Sequence, residues 1–109
     1  MQKCWAMPKK ILQVNFKYNM PADALMKAFM ELAKPFADVK GLEWKIWAHD
    51  GSKKMVGGFY LFKDQASVDG LLKSKLVSDN LTKNPAFSDI DVKVFDVLPE
   101  PSKITRAPI

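Results

Sequence analysis

Residues 41–62, GLEWKIWAHDGSKKMVGGFYLF, decide the fold. Two runs rich in strand formers, Leu42 to His49 and Met55 to Phe62, flank Asp50-Gly51-Ser52. Asp, Gly and Ser favour a turn, so the stretch predicts a β-hairpin. Upstream, ILQVNFKY (11–18) alternates, with Leu12, Val14, Phe16 and Tyr18 on one face of a strand. Asn19 suits a helix cap and Pro21 a first helical turn. A helix then runs to about Ala37 on the stripe Leu25, Ala28, Phe29, Leu32 and Phe36. Pro35 predicts an end or a bend near that point. Downstream, Asp64 suits the N-cap of a helix reaching about Lys75, with Val68, Leu71 and Leu72 inward. Residues 76–87 predict a shorter helix ending before Pro85. DIDVKVFDVL (89–98) predicts a fourth strand. Residues 1–9 read as a loose arm, and 99–109, with three prolines, as an extended one. The domain proper is thus 10–98.

The order β-α-β-β-α-(α)-β is the ferredoxin-like pattern, an α+β fold with an antiparallel four-stranded sheet and helices on one face. A chain of 109 residues is one domain, large enough to form a core without metal or disulfide. With 48% hydrophobic and 27% charged residues it is neither disordered nor collagen-like. No apolar run is long enough for a transmembrane helix. Cys4 is the only cysteine, which excludes an internal disulfide and a cysteine metal cluster, and a thiol in an arm without depressing charges reads as inert. The N-terminus lacks the apolar stretch of a secretory signal, so cytoplasmic residence is the expectation. The net charge is +5, but of the 17 basic residues only Arg106 is arginine, and the lysines are scattered. That distribution reads as a soluble surface rather than a nucleic-acid track.

Alternation assigns Leu12, Val14, Phe16, Leu42, Trp44, Ile46, Phe59, Leu61, Val92 and Val94 to the helix-covered face. The opposite face receives Gln13, Asn15, Lys17, Glu43, Lys45, Trp47, His49, Tyr60, Phe62, Lys93 and Phe95. Four aromatic residues on a face that helices cannot reach call for a cover. A second copy of the sheet is the simplest one, with Glu43 pairing the lysines there.

The segments ILQVNFKYNMP (11–21), GLEWKIW (41–47), GGFYLF (57–62), VKVFDV (92–97) and SKITRAP (102–108) together resemble the YdhR family of the antibiotic-biosynthesis monooxygenase superfamily. The resemblance covers residues 10–109, and the first nine fall outside it. It implies a dimeric α+β barrel, in which two subunits join sheet to sheet and C-terminal arms contact the partner. It also implies a monooxygenase that works on a small or polycyclic aromatic substrate with molecular oxygen, using neither metal nor flavin. Haem degraders, lyases and isomerases share the scaffold, so fold alone does not choose the reaction.

Oxygen reacts poorly with closed-shell organic molecules. Without a cofactor, the substrate must supply the electron as an ionised phenol or enol, and the protein must take a proton and hold an oxyanion. Trp44, Trp47, Phe16, Phe59 and Tyr60 are candidate aromatic walls. His49, the only histidine, is a candidate base. Asn15, Tyr60 and Lys45 are candidate donors to an oxyanion. Each has a plainer reading. Trp44 sits among core residues, Trp47 suits a dimer contact, His49 suits an exposed turn, and Asn15 suits a partner across the dimer. Alternation puts Asn15, Lys45, Trp47, His49 and Tyr60 on one face and Phe16, Trp44 and Phe59 on the other. A barrel cleft would use the first set and a sheet–helix pocket the second. The pair Gly57-Gly58 suits a bulge or a close backbone approach, not a phosphate loop.

Three rivals stand beside the oxygenase. An RNA-recognition module would need a basic residue and an aromatic where Met55 and Gly57 stand. A haem degrader would need a helical histidine, and segments 22–37, 65–75 and 76–85 have none. A non-catalytic dimeric binder of small aromatic or lipid-like molecules is the remaining one. No zinc or iron ligand set and no dinucleotide fingerprint appears.

Overall fold

A computed structural model describes residues 8–109. Most of the expected N-terminal arm, Cys4 included, lies outside the described residues. The elements are β1 (Lys10–Tyr18), α1 (Ala22–Ala37), β2 (Leu42–Asp50), β3 (Met55–Phe62), α2 (Gln65–Leu72), α3 (Lys75–Val77), β4 (Phe87–Asp96) and α4 (Pro99–Ile104). A π-helical turn, Ser78–Thr82, continues α3. The sheet is antiparallel in the order β2-β3-β1-β4, which is the ferredoxin-like topology. No described helix is long and apolar enough to cross a membrane.

The stripe read along α1 docks as expected. Leu25 and Phe36 are buried, and Phe29 and Leu32 pack against the core. The helix runs through Pro35 to Ala37 instead of stopping there. Proline near a C-terminus removes only one ladder bond, and the burial of Phe36 holds the last turn. Pro21, not Asn19, precedes the first turn, with no side-chain cap. Asp64 does cap α2, accepting from the Ser67 backbone N–H at 2.9 Å and from its hydroxyl at 2.7 Å.

Two features correct the sequence reading. Register partners across an antiparallel sheet share a face. One row runs Lys45–Tyr60–Leu12–Val94 and the next Trp47–Gly58–Val14–Val92. Lys45, Trp47, Tyr60 and Phe62 therefore face the helices, with Leu12, Val14 and Phe16. Trp44, Ile46, Phe59 and Leu61 face the other way, with Gln13, Asn15, Lys93 and Phe95. The assignment for β1 and β4 stands; that for most of β2 and β3 is inverted. The cause in β2 is a bulge between Leu42 and Trp44, which leaves Glu43 as an extra residue and flips the parity of all that follows. In β3, MVGGFYLF is apolar at both parities, so alternation carries no sign.

The second correction concerns residues 99–109. They are not simply extended: α4 begins on Pro99, where a proline costs nothing at a first helical position. The chain end then returns to its own sheet. The Trp44 indole N–H donates to the Pro108 carbonyl at 2.8 Å, and Lys9 Nζ donates to the Ile109 carbonyl at 2.6 Å.

Gly41, just before the bulge, has φ +83°, and a Cβ there would lie 2.0 Å from Ser67 Oγ. Strain and overlap act together, so Gly41→Ala is expected to lower stability by about 2–4 kcal/mol in urea melts.

Candidate functional site

Gly58 stands where the second row needs a side chain and has none. Trp47 flanks it on one side and Val14 on the other. α1 crosses above with Phe29, Leu32 and Phe36. The segment 71–82 closes the far wall with Leu71, Leu76, Asn80 and Leu81. The result is a cavity of about 220 Å³ between sheet and helices. A Cβ on Gly58 would lie 3.0 Å from the Tyr60 ring, 3.2 Å from its hydroxyl oxygen and 3.4 Å from Lys45 Cε. Glycine therefore keeps open the point at which Tyr60 and Lys45 converge. The sequence showed that backbone approach was easy at Gly57-Gly58, but not what approaches.

Among the described residues Lys45 is the only charged side chain that lines this cavity. Its Nζ lies 3.3 Å from the Trp47 ring centroid, 3.7 Å from that of Phe36 and 4.6 Å from that of Tyr60. Among the described residues no acidic side chain lines the space. Burial pushes the Lys45 ammonium down to about 7. The ring faces pull the other way, because their quadrupoles favour a cation. The same burial pushes the Tyr60 hydroxyl up, so it stays a proton donor throughout the neutral range. Tyr60 lies beyond Phe36 at 6.0 Å with the rings tilted by 51°, and Phe36 meets Trp47 edge-on at 5.5 Å.

Of the eight residues singled out in the sequence, Phe16, Lys45, Trp47 and Tyr60 line the cavity. Trp44, Phe59 and Asn15 do not; they lie on the helix-free face, Asn15 with its Oδ1 packed over Gly57. His49 is exposed at the end of β2, its Nε2 2.6 Å from the Tyr18 hydroxyl. It belongs to a neighbouring apolar groove against α1, and the rings of Phe29 and Trp47, 5.0 Å apart, stand between that groove and the cavity. The pocket thus draws on both sequence-defined sets, because the bulge exchanged them. Sequence reasoning missed Phe36 and Asn80. Phe36 was legible only as core. Asn80 reaches the wall through the π-turn, a local widening that places residues at functional surfaces and has no sequence signature. Among the described residues no cluster of three metal-ligating side chains occurs.

A ring-lined cavity with an amine and a phenol, set on a ferredoxin-like α+β sheet, is the candidate small-molecule site of this chain. A family model described as "Putative mono-oxygenase ydhR" matches residues 11–108. The chain belongs to the YdhR family. Solved structures share the fold. SnoaB, a cofactor-independent oxygenase from Streptomyces nogalater, superposes with TM-score 0.67 at 15% identity, covering 85% of this chain and 99% of that one. A putative antibiotic biosynthesis monooxygenase from Deinococcus radiodurans gives 0.68 at 12%, covering 82% and 92%. The NE2512 protein of unknown function from Nitrosomonas europaea gives 0.67 at 22%, covering 84% and 91%. No curated protein matches the sequence.

The lowered Lys45 value links to stability with a definite sign. Between about 7 and the ordinary 10.5 the unfolded chain binds more protons than the folded one, so stability rises with pH across that window. Below it both states are protonated and the full penalty of burying the ammonium is felt. Lys45→Met is therefore expected to stabilise the protein by about 1–3 kcal/mol at pH values under that window. The gain should shrink as pH climbs through it, as read by denaturant melts over a pH series.

Proposed function

We propose that this protein is a cofactor-independent monooxygenase for a small hydroxylated aromatic substrate, acting in the cavity above Gly58. The observation that carries the reading is Lys45: one amine without an anionic partner, in a ring-walled space. A cavity of about 150 Å³ holds benzene. The space here, about 220 Å³, suits one or two fused rings. The flat substrate lies along the rings, with its hydroxyl toward Lys45 and Tyr60.

The neutral amine takes the phenolic proton, and the resulting ammonium pairs with the oxyanion while the Tyr60 hydroxyl donates to it. The phenolate then passes one electron to oxygen. Superoxide and the aryloxyl radical combine at the ring carbon para to the oxygen, and the peroxide takes a proton from the Lys45 ammonium. The remaining hydrogen on that carbon leaves as a proton, the O–O bond breaks, and water departs. α-Naphthol plus oxygen thus gives the para-naphthoquinone plus water, with no outside reductant. Here Lys45 and Tyr60 are the reacting groups, Trp47 and Phe16 are walls, and His49 is a bystander. Nothing in this scheme calls for a metal or flavin.

Oxygen uptake with α-naphthol in metal-free buffer tests this. Uptake is expected to match quinone formed, with kcat/KM rising as pH passes through about 7, where the amine becomes neutral. Lys45→Gln is expected to cost about 100-fold in kcat/KM, and His49→Ala little. Ligand binding without any oxygen consumption would leave the non-catalytic binder of the same fold as the function.

We also propose that a second copy covers the helix-free face. Ile46 is 53% and Phe95 49% exposed there, beside Trp44 and Phe59. Such a row of apolar groups in water favours a self-complementary, two-fold contact. The C-terminal segment returns to Trp44 on this face, and its Ile104, 79% exposed, gives the partner a further apolar contact. Sedimentation is expected to show a dimer. Ile46→Asp, which places a charge in the middle of the contact, should weaken association at least about tenfold.

A further inference from the structure

Some surface lysines pair with carboxylates, as Lys9 does with Glu43, Lys34 with Asp38, Lys83 with Asp79 and Lys93 with Asp91, and the unpaired ones among the described residues are exposed to water. Lys45 has no such partner among the described residues. Its Nζ rests on ring faces, and its Cε and the Tyr60 hydroxyl both pack close to where a Gly58 Cβ would stand. A permanent cation for an oxyanion would be served as well by arginine. What only lysine supplies is a nitrogen lone pair once its proton leaves. An amine desolvated in an apolar pocket is the arrangement that makes lysine a nucleophile.

We propose that Lys45 captures aromatic aldehydes of one or two rings as a Schiff base, with Tyr60 as the acid that releases water. The amine nitrogen attacks the carbonyl carbon, and the C=O pair moves onto oxygen. A proton passes from nitrogen to that oxygen, giving a carbinolamine. The Tyr60 hydroxyl then protonates the departing hydroxyl group as the nitrogen lone pair forms the C=N bond. Water leaves, and the proton remaining on nitrogen returns to the tyrosinate. The balance is amine plus aldehyde to imine plus water, with no oxidation or reduction.

Three physical features favour the product. Walls of Trp47, Phe36 and Phe16 hold a flat ring against the reacting carbon. An apolar lining disfavours return of the expelled water. The iminium formed as water leaves, before its proton returns to Tyr60, is a cation, so the rings that held the ammonium hold it too. Burial, which lowers the Lys45 ammonium to about 7, keeps a large share of the amine in its reactive form where surface lysines are fully charged.

This activity uses the cavity of the oxygenase reading but not its chemistry, since oxygen takes no part. The folded protein is incubated anaerobically with β-naphthaldehyde and sodium cyanoborohydride near neutral pH, then read by intact mass and peptide mapping. The expected result is one naphthylmethyl group per chain, on Lys45, at a rate at least about tenfold above any surface lysine. Lys45→Arg is expected to abolish the fast adduct while its melting curve reports an intact fold. Tyr60→Phe is expected to leave the adduct on Lys45, form it more slowly, and change the pH profile. Labelling spread evenly over surface lysines, or an unmodified Lys45, would overturn the proposal. Fast labelling without oxygen uptake from α-naphthol would leave it standing while the oxygenase reading fell; oxygen uptake with an unlabelled Lys45 would do the reverse.

Discussion

One missing side chain organises the interior. Gly58 sits between Trp47 and Val14 in a row that packs beneath α1, and its lack of a Cβ lets the Tyr60 ring and the Lys45 stem lie close over the strand at the cavity wall. Close-packed interiors rarely keep such space. The cavity is braced at its rim: Phe36 meets Trp47 edge-on and Tyr60 at a tilt, and β3 and β1 beneath are hydrogen-bonded on both sides. Lys45 lies across these rings, its stem packed near Gly58 and its Nζ over the faces of Trp47 and Phe36. Filling Gly58 would press Tyr60 and Lys45 apart and close the site.

The bulge at Glu43 has the next largest effect. One extra residue turns Lys45 and Trp47 inward and Trp44 and Ile46 outward. The site and the apolar outer face are thus two results of the same irregularity. Without it the amine would sit among the groups on the far side of the sheet, and the helices would close over Trp44. The chain end makes use of the outcome, since Trp44 turned outward receives the Pro108 carbonyl.

Chemistry in the cavity rests on an imbalance. An ammonium in a largely apolar space is held by ring faces and opposed by desolvation, with no carboxylate to settle the contest. Such a group changes charge state near neutrality, where neither an arginine nor a surface lysine would. His49, by contrast, has the residue type most often chosen for proton transfer but the wrong address: it is bonded to Tyr18 and lies beyond the Phe29–Trp47 rings. Residue type proposes a role, and position decides whether it can be filled.

The sequence by itself determined the element order, the α1 stripe, the Asp64 cap, the placement of β1 and β4 and, through five short segments, the family. These depend on local propensity and on periodicity within one element, both written along the chain. It also named Lys45, Trp47, Tyr60 and Phe16 from their chemistry, without being able to group them. Only the tertiary structure decided which faces of β2 and β3 look inward, because a single bulge reverses parity and a strand apolar on both sides carries no sign. Only it brought Phe36, and Asn80 on its π-turn, to the cavity wall, since these positions depend on packing between elements distant in the chain. A two-residue period can say that neighbours point apart. It takes the third dimension to say which of them meets the helices.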